Sequence, residues 1–143
     1  MLDWIKKIVQ DLKNKYNTND PFELARFKNV HIIPWNLHEE INGFYKYDKR
    51  NKYIFINSNL DEISQRFVCA HELGHSQLHP RVNTPFLREN TLYSTNRIEV
   101  EANTFAVELI IPDSVINENY QTTIYETAAM YGVPKEVAHL KKF

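Results

Sequence analysis

With 143 residues, 43% of them hydrophobic and 24% charged, the chain suits a single domain, residues 1–143, with a modest core. Its formal net charge is -1 with no long run of one sign, which argues against nucleic acid as a partner, because such binding rests on a clustered basic footprint. One cysteine, Cys69, cannot close an internal disulfide, and no stretch is apolar enough for a signal peptide or a membrane span, so a cytoplasmic protein is expected.

Leu2, Ile5, Ile8, Val9 and Leu12 recur at helical spacing and predict an amphipathic helix ending near Tyr16. Asp20-Pro21 reads as a helix start, with Asp as the cap and Pro at the first helical position, and a short helix follows through Leu24 and Phe27. Val30-His31-Ile32-Ile33 predicts a strand that stops at Pro34. Gly43-Phe44-Tyr45-Lys46-Tyr47 and Lys52-Tyr53-Ile54-Phe55-Ile56 flank a polar turn, Asp48-Lys49-Arg50-Asn51, and predict a β-hairpin. Asp61 or Asn59 can cap the helix that follows. Residues 81–96 read as a polar loop with little periodicity. Ile98, Ala102, Phe105, Ala106 and Leu109 then mark a helix ended by Ile111-Pro112. Two short helices are expected over about 122–131 and 134–140, with Gly132 between them as a C-cap.

The chemistry concentrates in Phe67-Val68-Cys69-Ala70-His71-Glu72-Leu73-Gly74-His75, which contains H-E-x-x-H. Residues four apart share a helix face, so His71 and His75 can aim their imidazoles at one point and make half of a tetrahedral Zn2+ site. Glu72 projects to the side, where a base can reach a water without joining the coordination shell. Gly74 costs a helix about 1 kcal/mol relative to Ala, and close approach of another backbone or of the site is a good reason to keep it. The apolar lead-in also marks a buried helix, where unpaired histidine and glutamate are expensive. A third ligand is needed, and the next helix offers Glu99, Glu101 and Glu108. At 100° per residue Glu99 and Glu101 flank the apolar stripe on opposite sides and Glu108 lies further round, so helical geometry leaves the first two open.

The stretch from Phe67 through Ser76-Gln77-Leu78-His79 resembles the metal helix of ImmA/IrrE-type metallopeptidases, and Ile98-Glu99-Val100-Glu101-Ala102-Asn103-Thr104-Phe105-Ala106-Val107-Glu108-Leu109-Ile110-Ile111-Pro112 resembles their second block. The hairpin and Tyr131-Gly132-Val133-Pro134 are also similar, so the likeness runs from about Val30 onward. It implies an α+β fold: a small zincin-like metallopeptidase domain, helices packed on a short sheet or hairpin, with H-E-x-x-H on a central helix. It implies Glu99 as the third ligand, with Glu101 as the alternative and Asn103 supporting Glu99 from one turn away. It further implies cleavage of a partner protein, a helix-turn-helix repressor of a phage or mobile element, as in short ImmA-like anti-repressor proteases; IrrE-like relatives usually carry an added C-terminal domain, which this chain has no room for. The alternative is a zinc-containing regulator that binds and displaces a repressor or antitoxin without cutting it.

Among the remaining residues, Cys69 reads as a core thiol on a different helical face from His71. His79 lies a full turn beyond the ligand pair and fits a helix-end or supporting role. His31, His38 and His139 show no pattern, and Tyr93, Tyr120, Tyr125 and Tyr131 read as ordinary aromatics rather than oxyanion donors. Residues 52–57 are expected to form an edge strand able to hold an extended substrate by strand addition.

Overall fold

A computed structural model of the chain describes residues 2–87, 90–114 and 123–142. Helix α1 (Asp3–Tyr16) buries Ile5, Val9 and Leu12 and ends at Asn17 in the left-handed conformation. Helix α2 (Pro21–Phe27) starts as its sequence directs: the Asp20 side chain accepts the Phe22 N–H, and Pro21 opens the first turn. Strands β1 (Val30–Trp35), β2 (Ile41–Asp48), β3 (Asn51–Asn57) and β4 (Pro85–Leu87) form one sheet in the order β1-β3-β2-β4. β1 runs parallel to β3, and β2 is antiparallel to both β3 and β4.

Two expectations change here. β1 continues through Pro34 to Trp35, because it is an edge strand and an edge tolerates the missing donor. β3 is an interior strand paired on both sides, so residues 52–57 cannot take a substrate by strand addition. The edges are β1 and β4, and β4 lies inside the segment that reads as a featureless polar loop.

The hairpin turn places Lys49 at φ 51° and Arg50 at φ 68°, both left-handed. A two-residue loop with this backbone favours Asn-Gly. Replacing Lys49→Asn together with Arg50→Gly should therefore raise stability by about 1 kcal/mol. Urea unfolding of the two proteins would show it; an unchanged midpoint would mean the turn stores no strain.

Helix α3 (Glu62–Leu78) is capped by Asp61, whose side chain accepts the Ser64 N–H at 2.7 Å. It packs on β2 and β3 on one side and on helix α4 (Arg97–Ile110) on another, with α2 alongside. Coverage from several directions explains why residues 67–76 are all buried, polar ones included. α4 crosses α3 at Gly74, where a Cβ would stand 3.1 Å from the Phe105 Cβ. The glycine thus permits the close helix contact that places the two helices' side chains together. Helix α5 (Ile124–Met130) is capped by Thr123, and the expected start at Thr122 lies outside the described residues. Gly132 follows at φ 72°, the left-handed value expected of a helix terminator. Residues Lys135–Leu140 form a 3-10 helix rather than an α-helix, a common fate for so short a segment.

The C-terminal segment is tied down by charge. Lys141 Nζ lies 2.7 Å from Glu108 Oε1, the two side chains being 1% and 2% exposed. Glu108 Oε2 also accepts the Lys142 backbone N–H at 2.8 Å, and Lys6 and Lys141 both reach Asp113. Among the described residues no helix is long and apolar enough to cross a membrane.

Candidate metal centre

The centre is made where α3 and α4 meet. His71 Nε2 and His75 Nε2 are 3.2 Å apart, and Glu99 Oε1 lies 3.1 Å from the first and 2.8 Å from the second. Tetrahedral ligand atoms around a zinc-sized ion stand about 3.3 Å from one another, so this triangle matches three corners of such a shell. The hydrogen bonds behind the histidines decide what the triangle presents. Asn103 Nδ2 donates to the Thr91 carbonyl, so its Oδ1 faces His71 Nδ1, at 2.8 Å, and accepts that N–H. His71 Nε2 is then a lone-pair atom. His75 Nδ1 is occupied by His79 Nδ1 at 3.0 Å. Lone-pair atoms crowded on one point repel each other, and a divalent cation placed there turns that repulsion into coordination. The donor set therefore fits a metal ion.

Glu72 stands beside the triangle, and His71, Glu72 and His75 bring ligand-type atoms within 4.8 Å of one another. Glu72 is fully buried, and neither carboxylate oxygen finds a well-aligned hydrogen bond within the described residues. Burial, and then the charge of Glu99, push its pKa well above the ordinary carboxylate value, against the influence of the Tyr45 backbone N–H. Burial likewise pushes the His75 pKa down and so favours the neutral imidazole that a ligand must be. Burial would raise the Glu99 pKa, but the two imidazoles outweigh it in so far as they are protonated and hold the carboxyl well below the usual range; with their lone pairs turned inward, a cation takes over that part. Glu99 also borders an open groove of about 520 Å³, lined by Pro85 and Leu87 of β4 together with Thr91, Tyr93 and Asn96. Phe86 of β4 packs its ring 4.6 Å from that of His71.

The IrrE N-terminal-like domain of peptidase family M78 matches residues 25–141. The chain belongs to this family. An IrrE-like chain of this kind is a metallopeptidase, with a metal ion as cofactor and a protein as substrate. It is 61% identical over 139 residues to "Uncharacterized immunity region protein 2" of Bacillus phage phi105, covering 96% of this chain and 88% of the phage protein. It is 32% identical over 141 residues to "Metallopeptidase ImmA" of Bacillus subtilis (strain 168), covering 96% of this chain and 83% of that one. The α+β architecture, with H-E-x-x-H on a helix between sheet and α4, is the one the resemblance implies.

Within this IrrE-like centre, Glu99 rather than Glu101 meets the two histidines. Glu101 instead holds His79 Nε2 at 2.7 Å and Arg97 Nε at 3.1 Å. Asn103 supports His71, not Glu99 as expected, because its amide reaches across to α3 while Glu99 points along the same gap. Glu108 is taken up by the C-terminal clamp. Cys69 is a buried core thiol whose pKa burial raises. Tyr93 lines the groove with Glu99, Tyr125 is exposed, and Tyr120 lies outside the described residues. Thr91, which anchors Asn103, carries no signal in the sequence because its contribution is a backbone carbonyl.

Proposed function

We propose that this metallopeptidase is a zinc-dependent endopeptidase that cuts a helix-turn-helix repressor of a phage or mobile element and thereby derepresses its genes. One observation carries the peptidase reading: a buried carboxylate, Glu72, without a well-aligned partner beside three converging donors. His71, His75 and Glu99 would hold the ion, and their N2O donor set is the kind zinc takes in catalytic sites. A zinc ion so held supplies Lewis-acid chemistry, making a water acidic and polarising the scissile carbonyl. Glu72, beside the triangle, would take a proton from a water activated there and pass it to the leaving amine. Asn103 keeps the His71 ring oriented.

An extended substrate segment would lie in the groove beside Glu99. The outer edge of β4 has little to offer by strand addition, since Pro85 lacks an N–H, the Leu87 N–H is held by Thr91 Oγ1 and the Leu87 carbonyl accepts from Asn90, so the side chains of the groove would hold that segment. The repressor reading draws on the immunity-region name of the phage relative and on the resemblance to ImmA-like proteases. A cytoplasmic protein acting as one domain over 1–143 is supported by the lone buried Cys69 and by a hydrophobic core that runs from α1 to the 3-10 segment.

The test is to incubate the protein with the helix-turn-helix repressor encoded beside it, with and without a zinc chelator, and to resolve the products on a gel. Fragments that form only without chelator are expected. Loss of repressor–DNA binding with the repressor intact would replace cleavage by displacement.

A further inference from the structure

His79 is the residue at the end of α3 that the ligand set leaves over. The helix stops there, at φ -136° and ψ 58°, and the ring folds back so that Nδ1 lies 3.0 Å from His75 Nδ1. Its other nitrogen, Nε2, lies 2.7 Å from Glu101 Oε1, and Glu101 Oε2 accepts the Arg97 Nε–H at 3.1 Å. The His79 and Glu101 side chains are 9% and 7% exposed, while Arg97 lies at the surface.

The directions of these hydrogen bonds follow from the donor and acceptor inventory. A carboxylate only accepts, so His79 Nε2 carries the hydrogen that meets Glu101. The neutral ring then has a lone pair on Nδ1, and the hydrogen between the two rings must belong to His75 Nδ1. That leaves the His75 Nε2 lone pair facing Glu99 and His71. We propose that Arg97, Glu101 and His79 form a relay that orients His75 and fixes its tautomer for metal binding, an inference that rests on the metallopeptidase reading above. Within this account His79 and Glu101 are positioning residues.

The two histidine ligands are supported in different ways. His71 leans on a neutral amide, Asn103, which is itself fixed to a backbone carbonyl. His75 leans through a second imidazole, His79, on the Glu101 carboxylate. The relay spans both helices, since His79 closes α3 while Glu101 and Arg97 stand on the first turns of α4.

The test measures zinc binding by the full chain, with zinc alone as probe against a chelating dye, beside thermal unfolding of the metal-free proteins. His79→Ala and Glu101→Leu should each weaken zinc binding about 10–100-fold with little change in metal-free stability. The double variant should be no weaker than the worse single one, because either change breaks the same chain of bonds. Glu101→Gln keeps an oxygen that can accept from His79, so it should retain more affinity than Glu101→Leu. Should His79→Ala not fold, His79→Gln takes its place beside the Glu101 pair. Zinc affinities equal to wild type in both single variants would overturn the relay alone, as would losses that add in the double variant. A wild-type chain that takes up no zinc would instead overturn the metallopeptidase reading, and the relay with it.

Discussion

Replacing Glu72→Gln should lower substrate cleavage about 10²–10⁴-fold while zinc binding is kept. The side chain is fully buried, so the substitution has to preserve volume, and the amide does. Glu72 makes no well-aligned hydrogen bond that the change would break, and burial penalises its charged form. Removing that charge should leave metal-free stability unchanged or raise it. The combination separates a base from a structural group: a structural carboxylate would lose stability on substitution and a metal ligand would lose zinc. Retained cleavage by this variant would show that another group takes the proton.

The largest effect on stability is expected at the opposite end of α4. Glu108→Ala should destabilise the chain by about 2–3 kcal/mol, because it takes one carboxylate from Lys141, whose side chain is 1% exposed, and leaves it the more exposed Asp113. It also removes the acceptor for the Lys142 N–H and so frees the C-terminal segment. Chemical unfolding measures the loss; a change below about 1 kcal/mol would mean that the pair contributes little. Asp113 adds a pH dependence to the same clamp. Burial would raise its pKa, but hydrogen bonds and charges from Lys141 and Lys6 outweigh burial and bring it to about 2. A carboxylate depressed in the folded state stabilises above its unfolded pKa, and that gain disappears as pH falls from the ordinary carboxylate range through about 2. Asp113→Asn should flatten the stability profile over that interval.

The parts of this molecule that short-range pattern can reveal are those whose cause is short-range. The i, i+4 pair His71 and His75 and the Asp20-Pro21 start depend on neighbours within one turn, and both stand where the spacing puts them. Glu99 and Glu101 could not be told apart from helical angle, because the choice depends on how α4 is rotated against α3. The family resemblance implied Glu99, and Glu99 Oε1 lies 2.8 Å from His75 Nε2. Asn103 on His71 and Glu108 on Lys141 were illegible for the same reason: their partners lie more than thirty residues away in the chain. β4 escaped notice because three residues are too few to show alternation. β3 was misplaced at an edge because a hairpin read locally does not disclose the parallel partner that arrives from earlier in the chain.

The contact of Gly74 with Phe105 sets how closely the donors stand. All three converging donors ride on the two helices that touch there, so the thickness of residue 74 acts as a shim. With hydrogen in place of a methyl group the triangle closes to edges of 2.8–3.2 Å, a bore suited to small tetrahedral ions. A methyl group at residue 74 should force the two helices apart and widen the triangle, so the spacing of the donors is set from behind, by a residue that carries no donor atom.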